Sequence, residues 1–175
     1  MIESIKFLKT RDVKSPSRAN KYDAGIDFYV PEFTPEFIRD LKAKNPNNNE
    51  ISKDGIYLRQ GDRILIPSGI HCQMAHSGRA LIAANKSGVA TKTGLIVGAC
   101  VVDYEYQGEI HISLINTSNI PIPAMITPGM KAIQFLEIPI YNSDIEVEEG
   151  KTLEKFYEEK TTTRGADGFG STDKK

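Results

Sequence analysis

Apolar and polar positions alternate with a period of two through most of this chain. In EIHISLIN, Ile110, Ile112 and Leu114 alternate with Glu109, His111 and Ser113, the pattern of a strand with one face in a core. IKFLK, AGIDFYV, RILIPSGIHCQM, ALIAA, LIVGACVV and KAIQFLEIPI are short and rich in Ile, Val and Phe, and read as further strands. Turn chemistry separates them: PSG at 67, HSG at 76 and TPG at 127. Pro121, Pro123 and Pro139 are expected at edges or strand ends, because proline has no N–H to give to a ladder. Short strands so punctuated predict an all-β sandwich, jelly roll or barrel.

One stretch has a different period. TPEFIRDLKAKN offers Thr34 as an N-cap, Pro35 at the first helical position and Glu36 in the first turn, with Phe37, Ile38 and Leu41 on one face. Residues 32–57 are therefore predicted to form a helix-plus-loop excursion, read as a decorated surface loop on a β domain spanning 1–143. Residues 144–160 carry seven acids and three bases with little apolar content, and read as part of a solvated connector over 144–163. The last twelve residues, RGADGFGSTDKK, combine three glycines with an arginine, an aromatic ring and a Ser-Thr pair. Two readings stand for this segment: a solvated end, or a flexible stretch that brings phosphate donors and a ring to a ligand.

Composition narrows the partners. The 175 residues are 39% hydrophobic and 26% charged, as in an ordinary globular protein. With 22 basic and 23 acidic side chains the net charge is -1, which argues against nucleic acid as a partner, since its binders carry a basic excess. A small anion held by a few aimed donors stays open. MIESIKFLK has no signal-like apolar core, and no run reaches the ~18 residues of a membrane span, so a cytoplasmic protein without a membrane partner is expected. Cys72 and Cys100 are read as free buried thiols, because two cysteines so spaced make neither a disulfide framework nor a zinc motif.

Candidate chemistry gathers in a few stretches. In NKSGVATKTG, Lys86, Ser87 and Gly88 offer a charge, a hydroxyl and open backbone; they suit a phosphate if Ser87 caps a helical turn, and suit an ordinary Ser-Gly turn equally well. In VGACVVDYEYQGE an apolar run ends at Asp103. A carboxylate buried at the end of such a run is costly unless paired or used, so Asp103 is either a general base or the cap of a hairpin turn. Tyr106 either presents its ring to a flat ligand or packs. Asp27 in AGIDFYV holds metal-bound water or satisfies local amides, while Gln134 in GMKAIQF is a polar side chain in an apolar strand and needs a partner. Phosphate donors, rings and a carboxylate that could activate water would together serve a nucleotide hydrolase.

Five of these stretches, AGIDFYV, NKSGVATKTG, VGACVVDYEYQGE, GMKAIQF and RGADGFGST, closely resemble in order the five motifs of the trimeric deoxyuridine triphosphatases (dUTP diphosphatases), from about residue 24 to the chain end. The resemblance implies a jelly-roll-like β domain, a homotrimer with shared active sites, dUTP as substrate and Mg²⁺ as cofactor. It also implies residue roles. Asp103 would activate the attacking water and Gln134 would help to place it. Tyr106 would lie under the deoxyribose, and main chain of Ala99, Cys100, Val101 and Val102 would read the uracil edge. Lys86, Ser87 and Gly88 would contact phosphates, and Asp27 would associate with magnesium through water. Arg164 would hold the γ-phosphate, Phe169 would stack on uracil, and Gly170, Ser171 and Thr172 would wrap the phosphates as a lid.

Some positions depart from the family pattern. Lys86 stands where arginine is usual, so a bidentate fork becomes a point charge. Cys100 replaces a frequent glycine, Glu105 a common aspartate, and Asp173 a usual glycine. Residues 32–57 have no counterpart in the compact members. A dCTP deaminase, the nearest rival, needs a glutamate on the strand after the hairpin, where this chain has Ser113, and an arginine where it has Thr91. A relative that acts by binding a protein partner at the excursion is the second rival; it leaves the water-activating residues without a role.

Overall fold

Strand β8 (Ile110–Asn116) shows how the alternation becomes structure. Ile110, Ile112, Leu114 and Asn116 are buried and His111, Ser113 and Ile115, between them, are partly exposed, so one face of the strand enters a core. In this computed structural model, residues 4–158 are described except Asn49 and Pro121, together with Thr162. The other strands are β1 (Lys6–Lys9), β2 (Gly25–Tyr29), β3 (Ile56–Leu58), β4 (Arg63–Gln73), β5 (Arg79–Asn85), β6 (Leu95–Val97), β7 (Val101–Val102), β9 (Ala124–Ile126) and β10 (Lys131–Pro139). They form two four-stranded sheets, ordered β1-β4-β8-β6 and β2-β10-β5-β7, and a β3-β9 pair. All the pairings are antiparallel. Both sheets feed one core: Ile64, Ile66 and Ile112 from the first meet Phe28, Leu81 and Phe135 from the second. Phe7 of β1 sets its ring edge-on to Phe28 of β2, with centroids 5.7 Å apart. The fold is all-β and jelly-roll-like.

The predicted turn at PSG is not a turn. Strand β4 runs through it, and the β4–β8 register slips between Pro67 and Ile70. This bulge absorbs the extra residues, with Gly69 at φ 71° supplying the left-handed conformation that other side chains resist.

Helix α1 (Pro35–Lys44) forms for the reasons its sequence announces. Thr34 Oγ1 accepts a hydrogen bond from the Phe37 N–H at 3.2 Å, and Pro35 opens the helix. Its surroundings correct the surface-loop reading. Phe37, Leu41, Ile51 and Ile56 are all buried in the main core. Asn45, just past the helix, clamps it to β4: its amide donates to the Leu65 carbonyl and accepts from the Leu65 N–H, both at 2.9 Å. One side of the excursion is thus part of the core, through these four side chains. Leu41→Ala is expected to cost about 2–5 kcal/mol in urea unfolding, as buried leucines do; a loss below about 0.5 kcal/mol, the surface value, would restore the loop reading.

The chain divides into two compact units, Met1–Tyr141 and Asn142–Lys175. In the second, the described residues are mostly exposed. Their one regular element is α3 (Leu153–Phe156), where Thr152 Oγ1 accepts from the Lys155 N–H.

Candidate active site

A charged and polar cluster forms where β2, β10 and the end of β5 meet. The register sets Gln134 opposite Asp27 and Ala84. Asp27 is buried, with two lysines on its two oxygens: Lys86 on Oδ1, and Lys131 on Oδ2 at 2.9 Å. Burial by itself would raise the Asp27 pKa, but hydrogen bonds from Lys86 and then Lys131 hold it below the ordinary carboxylate value. Gln134 donates from Nε2 to the Asn85 carbonyl at 2.8 Å, and Asn85 Oδ1 accepts from the Val97 N–H at 2.7 Å. Gly25 makes room for Gln134, since a Cβ there would lie 2.1 Å from Gln134 Oε1.

Helix α2 (Ser87–Thr93) starts beside this cluster. Lys86, not Ser87, occupies the N-cap, and it makes no side-chain capping bond. Ser87 is the first helical residue, so the capping expectation is corrected. Gly88 faces open space, with nothing within 4 Å of where a Cβ would be.

The second cluster is the hairpin after β7. Ala99, Cys100, Val101, Val102, Asp103 and Tyr106 line one cavity of about 180 Å³, together with Leu65, His111 and Ser113. Among the described residues strand β7 is the edge of its sheet, so one row of its main-chain donors and acceptors has no described strand beside it. The turn is closed by the Tyr106 N–H donating to the Asp103 carbonyl at 3.1 Å, and the Tyr106 hydroxyl donates to the Glu109 carbonyl at 3.0 Å. Asp103 is exposed although Val102 before it is buried, because the chain leaves the sheet between them. The buried-carboxylate expectation is thereby corrected. The cysteines are also less buried than expected: Cys100 is exposed, while Cys72 is half-buried, and burial pushes its thiol up to about 11.

Within one chain these clusters stay apart. Leu81 of β5 faces Val102 of β7. Asn85 stands four residues further up β5, about 13 Å at the usual strand rise, and antiparallel β7 carries Asp103 the other way. Asp103 therefore does not meet Gln134 or Lys86 of its own chain through a single water. Arg164, Phe169, Gly170, Ser171 and Thr172 lie outside the described residues.

Sequence reasoning missed Lys131 and Asn85. The signal for Lys131 was its place three residues before Gln134 in GMKAIQF; its partner Asp27 is more than a hundred positions away. Among the described residues no group of three or more His, Cys, Asp or Glu side chains is placed to hold a metal ion, and no helix is long and apolar enough to cross a membrane.

The dUTPase family model matches residues 51–173. The deoxyuridine 5'-triphosphate nucleotidohydrolase of Pseudomonas entomophila is 31% identical over 150 residues, covering 83% of this chain and 88% of its own. The enzyme of that name from Ectopseudomonas mendocina is 32% identical with the same coverage. Among solved structures, Staphylococcus bacteriophage 80alpha dUTPase with dUpNHpp matches with a TM-score of 0.66 at 18% identity, over 96% of this chain and 97% of that one. The native EIAV dUTPase matches with a TM-score of 0.59 at 21% identity, over 85% of this chain and all of that one. The family match covers more than two thirds of the chain, and the relatives align over most of their length: the chain belongs to the dUTPase family.

Proposed function

We propose that the protein is a dUTP diphosphatase, hydrolysing dUTP to dUMP and pyrophosphate through attack of water on the α-phosphate. The observation that supports this most is the family match over residues 51–173, which takes in the Ser87 stretch, the hairpin, Gln134 and the glycine-rich end. In this reading the free edge of β7 reads uracil through the main chain of Ala99, Cys100, Val101 and Val102. Tyr106 lies under the deoxyribose, where its ring leaves no space for a 2′-hydroxyl. Lys86, Ser87 and Gly88 meet the phosphates, with Lys131 as a second cation beside them. Asp103 takes the proton of the attacking water, and Gln134 orients that water. Arg164 holds the γ-phosphate, Phe169 stacks on the base, and Gly170, Ser171 and Thr172 close over the phosphates. Such hydrolysis limits uracil incorporation into DNA and supplies dUMP for dTMP synthesis.

The separation of the two clusters supports a shared site. If Asp103 and Tyr106 serve the phosphate cluster of a second copy, the 13 Å gap within a chain (about four strand residues) is no obstacle, and a closed threefold ring completes every site. The working unit in this reading is a homotrimer.

Magnesium is expected from the resemblance, and the phage phi11 dUTPase of S. aureus coordinates a structural Mg(II) ion. Asp27 does not fit the role of holding it, because its two oxygens already face two ammonium groups. We place the ion with the triphosphate, as the counter-ion of the substrate, and assign it no ligand among the described residues. Chelation is then expected to leave the melting temperature of the nucleotide-free protein unchanged. A fall of more than about 2 °C, reversed by Mg²⁺, would put a metal site in the protein itself.

The direct test of the function is pyrophosphate release from dUTP and dCTP. Turnover of dUTP alone is expected, and release of ammonia from dCTP would instead favour the deaminase reading.

A further inference from the structure

The hairpin that carries Asp103 and Tyr106 is tied to helix α1 by a chain of side chains that the reaction itself does not use. Glu109 follows the hairpin glycine, Gly108, and serves it in two ways. Its carbonyl accepts the Tyr106 hydroxyl at 3.0 Å, so the ring is anchored on Glu109 main chain. The ring folds tightly over the turn: a Cβ on Gly108 would lie 2.4 Å from the Tyr106 hydroxyl oxygen. The Glu109 carboxylate, in turn, accepts from the Gly69 N–H at 2.6 Å, from Arg11 Nε at 2.7 Å and from Arg11 Nη2 at 3.2 Å. Burial would raise its pKa, but the Arg11 and Gly69 bonds hold it below the ordinary range, so it stays an anion.

Arg11 carries the connection onward. Its Nη1 donates to Asp40 Oδ2 of α1 at 3.0 Å, and its guanidinium sits 5.8 Å from the Phe37 ring centroid. The β4 bulge is shaped around it, since a Cβ on Gly69 would lie 2.6 Å from Arg11 Cβ. Arg11 and Glu109 side chains are 20% and 16% exposed, which shields their fork from the screening that weakens surface pairs. Arg11 and Glu109 are 98 positions apart in the chain and Arg11 and Asp40 are 29 apart, so local sequence does not impose the link.

We propose that the excursion acts on the reaction through this relay: Asp40, Arg11 and Glu109 are positioning residues that hold the Tyr106 ring in place, and so set discrimination between deoxyribo- and ribonucleoside triphosphates. The proposal rests on the sugar-platform role of Tyr106 given above. None of the three residues touches substrate in that reading. A tyrosine that rejects a 2′-hydroxyl by contact must be held to within a fraction of an ångström, which a two-residue turn alone does not secure.

Three variants test it. Arg11→Met keeps the side-chain stem and removes the fork, Arg11→Lys keeps a point charge only, and Asp40→Ala cuts the link to α1 at a partly exposed carboxylate. In Arg11→Met, hydrogen exchange of peptides covering 101–109 should rise about ten-fold, with β10 peptides unchanged. The ratio of kcat/KM for dUTP over UTP should fall about ten-fold, within the loss that a misplacement of about an ångström can cause. Asp40→Ala should move both readouts the same way by less, and Arg11→Lys should recover only part of the ratio. If Arg11→Met does not fold, Asp40→Ala carries the test. An unchanged dUTP:UTP ratio in the folded variants, or exchange that accelerates equally in every peptide, overturns the relay. Should the wild-type protein leave dUTP intact, the functional reading fails instead, and exchange over 101–109 decides the relay without it.

Discussion

Asp103→Asn should lower kcat for dUTP by about 10²–10⁴-fold, the range for a lost general base, with little change in KM or in melting temperature. The substitution keeps the size and shape of the side chain and removes its basicity. Its structural cost should be small, because Asp103 is exposed and the turn is closed by its carbonyl, not its carboxylate. The carboxylate accepts no hydrogen bond among the described residues, which leaves the turn-capping alternative without support. Pyrophosphate release under saturating dUTP measures the effect. Wild-type turnover in this variant would remove Asp103 from the chemistry and leave the hairpin with a purely binding role.

Two inactive variants should restore activity when mixed. Lys86→Ala removes a cation from the phosphate cluster and should cost about 10²-fold or more, as lost charge stabilisation at a reacting centre does. Asp27 keeps Lys131 as a partner in that variant, so the buried carboxylate is not left alone. Asp103→Asn damages only the hairpin cluster. The β5–β7 register keeps these clusters apart in one chain. In a threefold ring, a site that joins the intact hairpin of one chain to the intact phosphate cluster of the next is whole. After co-refolding at equal amounts, about three trimers in four are mixed and each holds one whole site in three, so about a quarter of wild-type turnover should return. No recovery, with mixed trimers shown by mass spectrometry, would mean that each chain builds its site alone.

The local structure was legible in the residues. Alternation in EIHISLIN specified β8 and its buried face, since a period of two admits no other placement against a core. Thr34 and Pro35 marked the start of α1, because capping acts over three or four residues. The family was legible as short motifs in order, and the model of that family matches residues 51–173. What lies across the fold was not. The stripe of Phe37, Ile38 and Leu41 announced a helix with an apolar face but not what covers it, and only the packing put Phe37, Leu41, Ile51 and Ile56 in the core. The two-lysine clamp on Asp27 depends on β2 pairing with β10 and on β5 ending beside them. Arg11 and Glu109 meet through a bulge that read as a turn. Asp103 left the core because the chain leaves the sheet after Val102, and it left Gln134 because β7 runs antiparallel to β5. Local periodicity and capping are properties of a few neighbouring residues, so sequence alone determined them. Burial, ion pairing and the separation of the two clusters depend on which strands lie side by side and in what register, and that was decided only by the tertiary structure.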